Sequence, residues 1–169
     1  MKYQNVFKRY EFKYLITKEQ KEKVINEIKP YLELDKYGET VIRNIYFDTL
    51  NYRLIRLSIE KPIYKEKIRV RSYQKVSEDD QVFVELKKKY DGVVFKRRVA
   101  MQENKAFNWL TSGKDCGIKS QIVNEIDYFI SYYQNLFPTM FVSYEREAYY
   151  SKDISDFRLT FDKNIICRD

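Results

Sequence analysis

The basic residues of this sequence fall at alternate positions. In Lys65-Glu66-Lys67-Ile68-Arg69-Val70-Arg71 the cations Lys65, Lys67, Arg69 and Arg71 share one face of an extended segment, and Ile68 and Val70 take the other, because successive strand side chains point to opposite faces. The pattern recurs. Phe83, Glu85 and Lys87 oppose Val82, Val84 and Leu86; Lys96 and Arg98 oppose Val93, Phe95 and Val99; Arg158, Thr160 and Asp162 oppose Phe157, Leu159 and Phe161. Arg9, Glu11 and Lys13 line up at the same period, as do Asn44, Tyr46 and Asp48. A single strand of this kind is an ordinary amphipathic strand with one face in water. Several of them, cationic with only Glu11, Asp48, Glu85 and Asp162 interspersed, carry like charges that repel across neighbouring strands. A polyanion lying against them resolves the conflict, since Arg forks and Lys point charges both make charge-assisted hydrogen bonds to phosphate oxygens.

Composition narrows the chemistry further. The 32 Lys+Arg against 25 Asp+Glu leave a formal charge of +7 and a pI near 9.2. That points to an anionic partner without choosing among phosphate compounds, nucleic acid and an acidic membrane face. The chain has no His, which excludes a Ser-His-Asp triad, a Cys-His dyad, a His-ligated zinc and a His-ligated haem within it. Gly113-Lys114 is not a phosphate-binding loop, because Asn108 stands where the first Gly of Gly-x-x-x-x-Gly-Lys belongs. Cys116 and Cys167 read as free thiols of a reducing compartment. The N-terminal Met1-Lys2-Tyr3-Gln4-Asn5-Val6-Phe7-Lys8 lacks the apolar core of a signal peptide. No stretch approaches a membrane span, so the expected location is cytoplasmic.

The elements that must position these residues follow from punctuation and period. Phe7–Ile16 reads as a strand. Thr17-Lys18-Glu19-Gln20 has capping-box spacing, and Val24, Ile25, Ile28 and Leu32 continue a helical stripe that Pro30 ends. Val41–Asp48 reads as a strand and Leu50–Leu57 as a short helix. Tyr64–Tyr73, Gln81–Lys89 and Gly92–Met101 read as strands, the last two joined by the hairpin signal Asp91-Gly92. Helices are expected over Glu103–Leu110 and Lys119–Leu136, the latter burying Ile122, Ile126, Phe129, Ile130 and Tyr133. Strands are expected over Thr139–Tyr150 and Asp156–Ile166. With no repeat and no linker, residues 1–169 form one α+β domain with mostly antiparallel strands.

The ordered series Arg9-x-Glu11-x-Lys13-Tyr14, Ile45-Tyr46-Phe47-Asp48, Lys67-x-Arg69-x-Arg71, Phe83-Val84-Glu85-Leu86-Lys87, Lys96-Arg97-Arg98, Tyr144-Glu145-Arg146-Glu147-Ala148 and Arg158-Leu159-Thr160-Phe161-Asp162 resembles the VTC domain. That family stands beside the CYTH triphosphatases among the triphosphate tunnel metalloenzymes. The resemblance implies an antiparallel β tunnel with flanking helices, a divalent cation (Mn²⁺ or Mg²⁺), and an interior that binds inorganic polyphosphate, a triphosphate or ATP. It implies metal-dependent transfer of a γ-phosphoryl group from ATP, as in a polyphosphate polymerase, or hydrolysis, as in a triphosphatase. Its phosphate ligands fall at Lys13, Lys67, Arg69, Arg71, Lys87, Lys96, Arg98, Arg146 and Arg158. The catalytic set is Arg69, Arg71 and Lys87 clamping the chain, with Arg146 and Arg158 neutralising its far side. Glu11 and Glu85 orient these cations or hold the metal, while Tyr46 and Asp48 shape the wall. Nothing after Asp162 matches the family's C-terminal Glu-x-Lys strand, so the expected tunnel is open along one edge and its metal site incomplete.

Phosphoryl transfer needs positioning and charge neutralisation more than covalent catalysis, so the absence of His is no obstacle. The alternative is a module of the same fold that binds polyphosphate or triphosphate without turnover. Nucleic-acid binding is disfavoured, because Phe95, Phe157 and Phe161 lie opposite the cations instead of forming a stacking row with them. Replacing Arg69 and Arg71 together by Ala is expected to weaken tripolyphosphate binding and leave the fold intact.

Overall fold

The computed structural model describes residues 5–153 and 157–169. Residues 1–4, part of the N-terminal reading above, and Asp156, where the last strand was expected to begin, lie outside the described residues. In chain order the elements are β1 (Val6–Tyr10), α1 (Lys18–Ile28), β2 (Leu32–Asp48), α2 (Arg53–Glu60), β3 (Tyr64–Ser72), β4 (Gln81–Tyr90), β5 (Val93–Gln102), α3 (Glu103–Ser112), α4 (Gln121–Tyr133), β6 (Phe137–Ser151) and β7 (Arg158–Arg168). The strands form one antiparallel sheet in the order β1-β5-β4-β3-β2-β6-β7. Among the described residues β1 and β7 are its edges, so the sheet is tunnel-like but not closed into a barrel.

Local chemistry explains most boundaries. Thr17 and Gln20 make the reciprocal capping box at the start of α1: the Thr17 N–H donates to Gln20 Oε1 at 2.8 Å, and the Gln20 N–H to Thr17 Oγ1 at 3.2 Å. The β4–β5 hairpin turns at Asp91 (φ 43°) and Gly92 (φ 79°). Positive φ at both central residues is what the strand twist favours there. That same turn shortens β1. Its last residue, Tyr10, pairs with Val93, the first of β5. Beyond it no partner strand remains, so residues 11–17 leave the sheet instead of extending the strand to Ile16.

β2 starts earlier than its sequence suggests. Leu32–Thr40 is rich in Glu, Asp, Lys and Gly, which are depleted in strands. Pairing with β6, through a register shift between Leu34 and Glu39, holds it extended. At the other end Asp48 anchors α2. Its carboxylate accepts hydrogen bonds from the backbone N–H groups of Thr49 (2.8 Å), Leu54 (2.9 Å) and Ile55 (2.9 Å), satisfying donors that a helix start otherwise leaves bare.

The sheet has two chemically different faces. Ile68, Val70, Val82, Val84, Leu86, Val99, Met101 and Phe47 point to one side. They are buried under Leu54 of α2, Ala106, Trp109 and Leu110 of α3, and Val123, Ile126 and Phe129 of α4. Each large side chain so buried contributes about 1.5–3 kcal/mol. Trp109 is 1% exposed, and its indole N–H donates to Asp127 Oδ1 at 2.6 Å, so its polar atom is satisfied where α3 meets α4. Helix α1 is tied to β6 and β7 through Lys21, which pairs with Glu147 and lies over the ring of Phe161. The opposite face of β2 to β6 is left to the cations.

Candidate anion-binding site

Strand register assembles the site in rows. Lys67 of β3 lies opposite Lys87 of β4, which lies opposite Lys96 of β5. Two residues along, Tyr46, Arg69, Glu85 and Arg98 stand side by side on β2, β3, β4 and β5. A third row brings Asn44, Arg71 and Phe83 together. Alternation along each strand puts all three rows on the face away from the helices.

Glu85 is the hub. It is fully buried, at 0% exposure. Its Oε2 accepts from Arg69 Nε at 2.9 Å and Nη2 at 2.6 Å and lies 3.7 Å from Arg71 Nε, while its Oε1 accepts from Lys96 Nζ at 3.4 Å. Burial alone would raise this carboxyl, but Arg69, Arg71 and Lys96 overcome it and hold the pKa at about 2. The remaining guanidinium donors are also directed: Arg69 Nη1 to Tyr46 Oη at 2.8 Å, Arg71 Nε to Asn44 Oδ1 at 2.8 Å, and Arg71 Nη2 to Tyr144 Oη at 3.0 Å. Burial pushes the Tyr46 phenol up, and Arg69, Arg71 and Lys67 bring it below its usual value.

The lysine row is only partly neutralised, Lys87 by Glu11 and Lys96 by the shared Glu85. Burial lowers Lys67, the Tyr46 hydroxyl partly offsets this, and Lys65, Lys87 and Lys13 lower it again; among the described residues it has no carboxylate partner. Lys87 is lowered by burial and by Lys13 and Arg69, against the pull of Glu11. Lys96 is brought down to about 8 by burial, which the attraction of Glu85 only partly offsets and the repulsion of Arg71, Arg98 and Arg69 reinforces. Like charges opposite one another cost stability, and desolvating them costs more. An arriving anion would reverse both terms.

Other groups complete the rim. Glu11 Oε2 is 2.6 Å from Lys87 Nζ. Arg146 on β6 is gripped by Asp162 on β7 through two parallel bonds, Nε to Oδ1 at 2.6 Å and Nη2 to Oδ2 at 2.7 Å. The sheet curls far enough for Arg146 to act on Glu11 from across the hollow. Burial raises the Glu11 carboxyl, and Lys87, Lys13 and Arg146 bring it below the usual carboxylate range. Lys13, past the end of β1, is exposed but adds its charge to Lys67 and Lys87. Lys96 lies 4.0 Å above the ring of Phe7, and Arg98 stacks over Phe83 at 4.7 Å.

The structure thus brings Lys13, Lys67, Arg69, Arg71, Lys87, Lys96, Arg98 and Arg146 to one face, with Glu11 and Glu85 among them. Arg158 is set apart. It lies opposite Tyr150, four residues along β7 from Asp162 and Arg146, roughly 13 Å of strand, and it pairs with Asp35 at 3.5 Å. Lys65 leaves the row and donates to the Ser58 carbonyl at 3.1 Å. Phe7, Asn44 and Tyr144, which orient these cations, carried no assigned role in the sequence. The signal for Phe7 was there, since it shares the parity of Arg9.

Glu11 and Glu85, the carboxylates that the resemblance assigns to orienting the cations or holding a divalent ion, both stand against cations. Both oxygens of Glu85 face cations, Glu11 is paired with Lys87, and no group of three Asp, Glu or Cys side chains able to hold a metal ion occurs among the described residues. Nor is any helix among the described residues long and apolar enough to cross a membrane.

One solved structure agrees with this architecture. A putative adenylate cyclase from Bacillus halodurans superposes with a TM-score of 0.51 at 14% identity, covering 94% of this chain and 79% of that one. A putative adenylyl cyclase from Hippeastrum, described as having dominant triphosphatase activity, gives a TM-score of 0.46 at 12% identity over 88% of this chain and 71% of that one. No curated protein matches the sequence. The sequence profile of the VTC domain matches residues 8–169. With that match, and with a curled antiparallel sheet presenting cations on its helix-free face, the chain belongs to the VTC domain family.

Proposed function

We propose that this chain binds inorganic polyphosphate or a triphosphate on its cationic face. The observation that carries the reading is the row Lys67, Lys87 and Lys96, adjacent on three strands with no carboxylate in the row. Apart from the contacts of Lys96 with Glu85 and of Lys87 with Glu11, the fold gains nothing from setting three ammonium groups side by side. A phosphate chain laid across it gains a charge-assisted hydrogen bond from each ammonium, while Arg69, Arg71, Arg98 and Arg146 line the ground on either side. Binding, more than turnover, is what this geometry favours. The cations are preorganised, but Glu85 is committed to holding them and supplies no base or metal ligand. Phosphoryl transfer from ATP, with Arg69, Arg71, Lys87, Arg146 and Arg158 as its catalytic set and Mn²⁺ or Mg²⁺ as its cation, is the second reading. Family membership favours it.

Titration calorimetry with tripolyphosphate and with long-chain polyphosphate, in EDTA, tests the first reading. Saturable binding that weakens with salt is expected. Lys67→Ala or Lys87→Ala should weaken it roughly ten- to a hundredfold, the worth of one charged hydrogen bond. Absence of binding, or an affinity in both variants unchanged from that of the unsubstituted chain, would overturn it. Release of phosphate or lengthening of a chain from ATP on adding Mn²⁺ would establish the second reading.

A further inference from the structure

Glu11 is oddly held. It is the first residue after β1, in a segment (residues 11–17) that is neither helix nor strand. Phe12, Tyr14 and Leu15 beside it are 76%, 80% and 103% exposed, so little packing fixes the segment in place. Yet its carboxylate reaches into the hollow and sits 2.6 Å from Lys87 Nζ, the central member of the lysine row. Lys13 from its own segment and Arg146 from β6 also act on it. Cations from separate strands thus converge on one small anion, at the place where a phosphate would be drawn. As a staple the contact is poor, because both side chains are about a third exposed (32% and 39%) and an ion pair so exposed does little to hold a loop.

We propose that Glu11 is the internal counter-ion of the polyphosphate site, a carboxylate that occupies the position beside Lys87 in the unliganded protein and is displaced when a phosphate chain binds. This rests on the reading that the lysine row binds polyphosphate. The carboxylate lowers the repulsion among Lys87, Lys13 and Arg146 until the ligand arrives. It also competes with the ligand, so only an anion that contacts several of these cations at once displaces it. The segment bearing it leaves at little cost in buried surface.

The sign of a charge-removing substitution tests the idea. Glu11→Gln keeps the shape of the side chain and removes its charge. In EDTA its affinity for tripolyphosphate should rise about two- to fivefold above that of the unsubstituted chain, the scale of one exposed ion pair, and the rise should persist with Mn²⁺ present. Unchanged affinity in Glu11→Gln, or binding weakened only when Mn²⁺ is present, would overturn the proposal, the second result marking Glu11 as a metal-holding carboxylate. If the unsubstituted chain shows no saturable binding at all, the polyphosphate reading itself fails, which is a separate and recognisable result.

Discussion

Glu85 and Arg69 face one another across β4 and β3, with Oε2 2.6 Å from Nη2 and 2.9 Å from Nε and the carboxylate wholly cut off from solvent. The pair is half of a larger arrangement. One buried negative charge is shared by Arg69, Arg71 and Lys96 on two flanking strands. Such a carboxylate costs a great deal to bury and is stable only while its partners remain. Arg69 therefore has a structural duty besides any contact with phosphate.

Arg69→Ala is consequently expected to destabilise the fold by about 3–5 kcal/mol, the usual result of stranding one member of a buried pair. Urea unfolding followed by far-UV circular dichroism measures it. The expectation that Arg69 and Arg71 could both become Ala without harm to the fold does not fit the burial of Glu85. The pH dependence has a definite sign. The Glu85 pKa falls from an ordinary 4.5 to about 2 on folding, so its contribution is complete above about pH 4.5 and is lost as pH falls toward 2, by about 3 kcal/mol. An acid-unfolding midpoint no different in Glu85→Gln would contradict this.

Lys67→Met should separate binding from stability. It removes one charge from a repelling row and leaves an apolar side chain of similar length. Stability should rise by a few tenths to about 1 kcal/mol, while tripolyphosphate affinity falls. Arg158→Ala should leave that affinity nearly unchanged, because Arg158 pairs with Asp35 away from the row. Thermal melts and calorimetry on the same samples check both. A Lys67→Met protein that is less stable and binds equally well would refute the assignment of the row.

Lys96 should make binding sensitive to pH near neutrality. Its pKa falls from 10.5 to about 8 in the folded chain. Between those values the unfolded chain binds more protons than the folded one, so stability rises with pH over that window. Affinity moves oppositely: above about pH 8 the unliganded site loses a positive charge that the phosphate chain must restore. Long-chain polyphosphate is the appropriate probe, since its interior units do not titrate there. Lys96→Arg, always charged, should flatten the affinity profile between pH 7 and 9.

Asp48→Ala provides a stability control with no binding phenotype. Loss of three backbone hydrogen bonds at the start of α2 should cost about 1–2 kcal/mol. Polyphosphate affinity should be unaffected, because Asp48 faces the α2 backbone. A binding defect comparable to that of Lys87→Ala would put it in the site after all.

Much of this was legible in the sequence, wherever a local rule was enough. Period-two alternation separated Lys67, Arg69 and Arg71 from Ile68 and Val70. It did the same for Glu85 and Lys87 against Val84 and Leu86. The capping box and the Asp-Gly turn marked the α1 start and the β4–β5 hairpin where they are found. Elements failed where pairing overrode propensity. The polar start of β2 is a strand because β6 pairs with it, and residues 11–16 are not one because β5, their would-be partner, begins only at Val93 after its turn.

The sequence by itself determined which side chains share a face, because the geometry of an extended chain sorts neighbours in alternation whatever lies beside them. It did not determine which cation meets which carboxylate. Glu85 and Arg69 are 16 residues apart in sequence, and Lys87 and Glu11 are 76 apart; strand order, register and the curl of the sheet bring each pair together. Those same three features enclose Glu85 among cations and leave Lys67 without a carboxylate among the described residues. Only the tertiary structure could show them, because solvent exclusion and opposing charge are properties of the assembled face and not of any one strand.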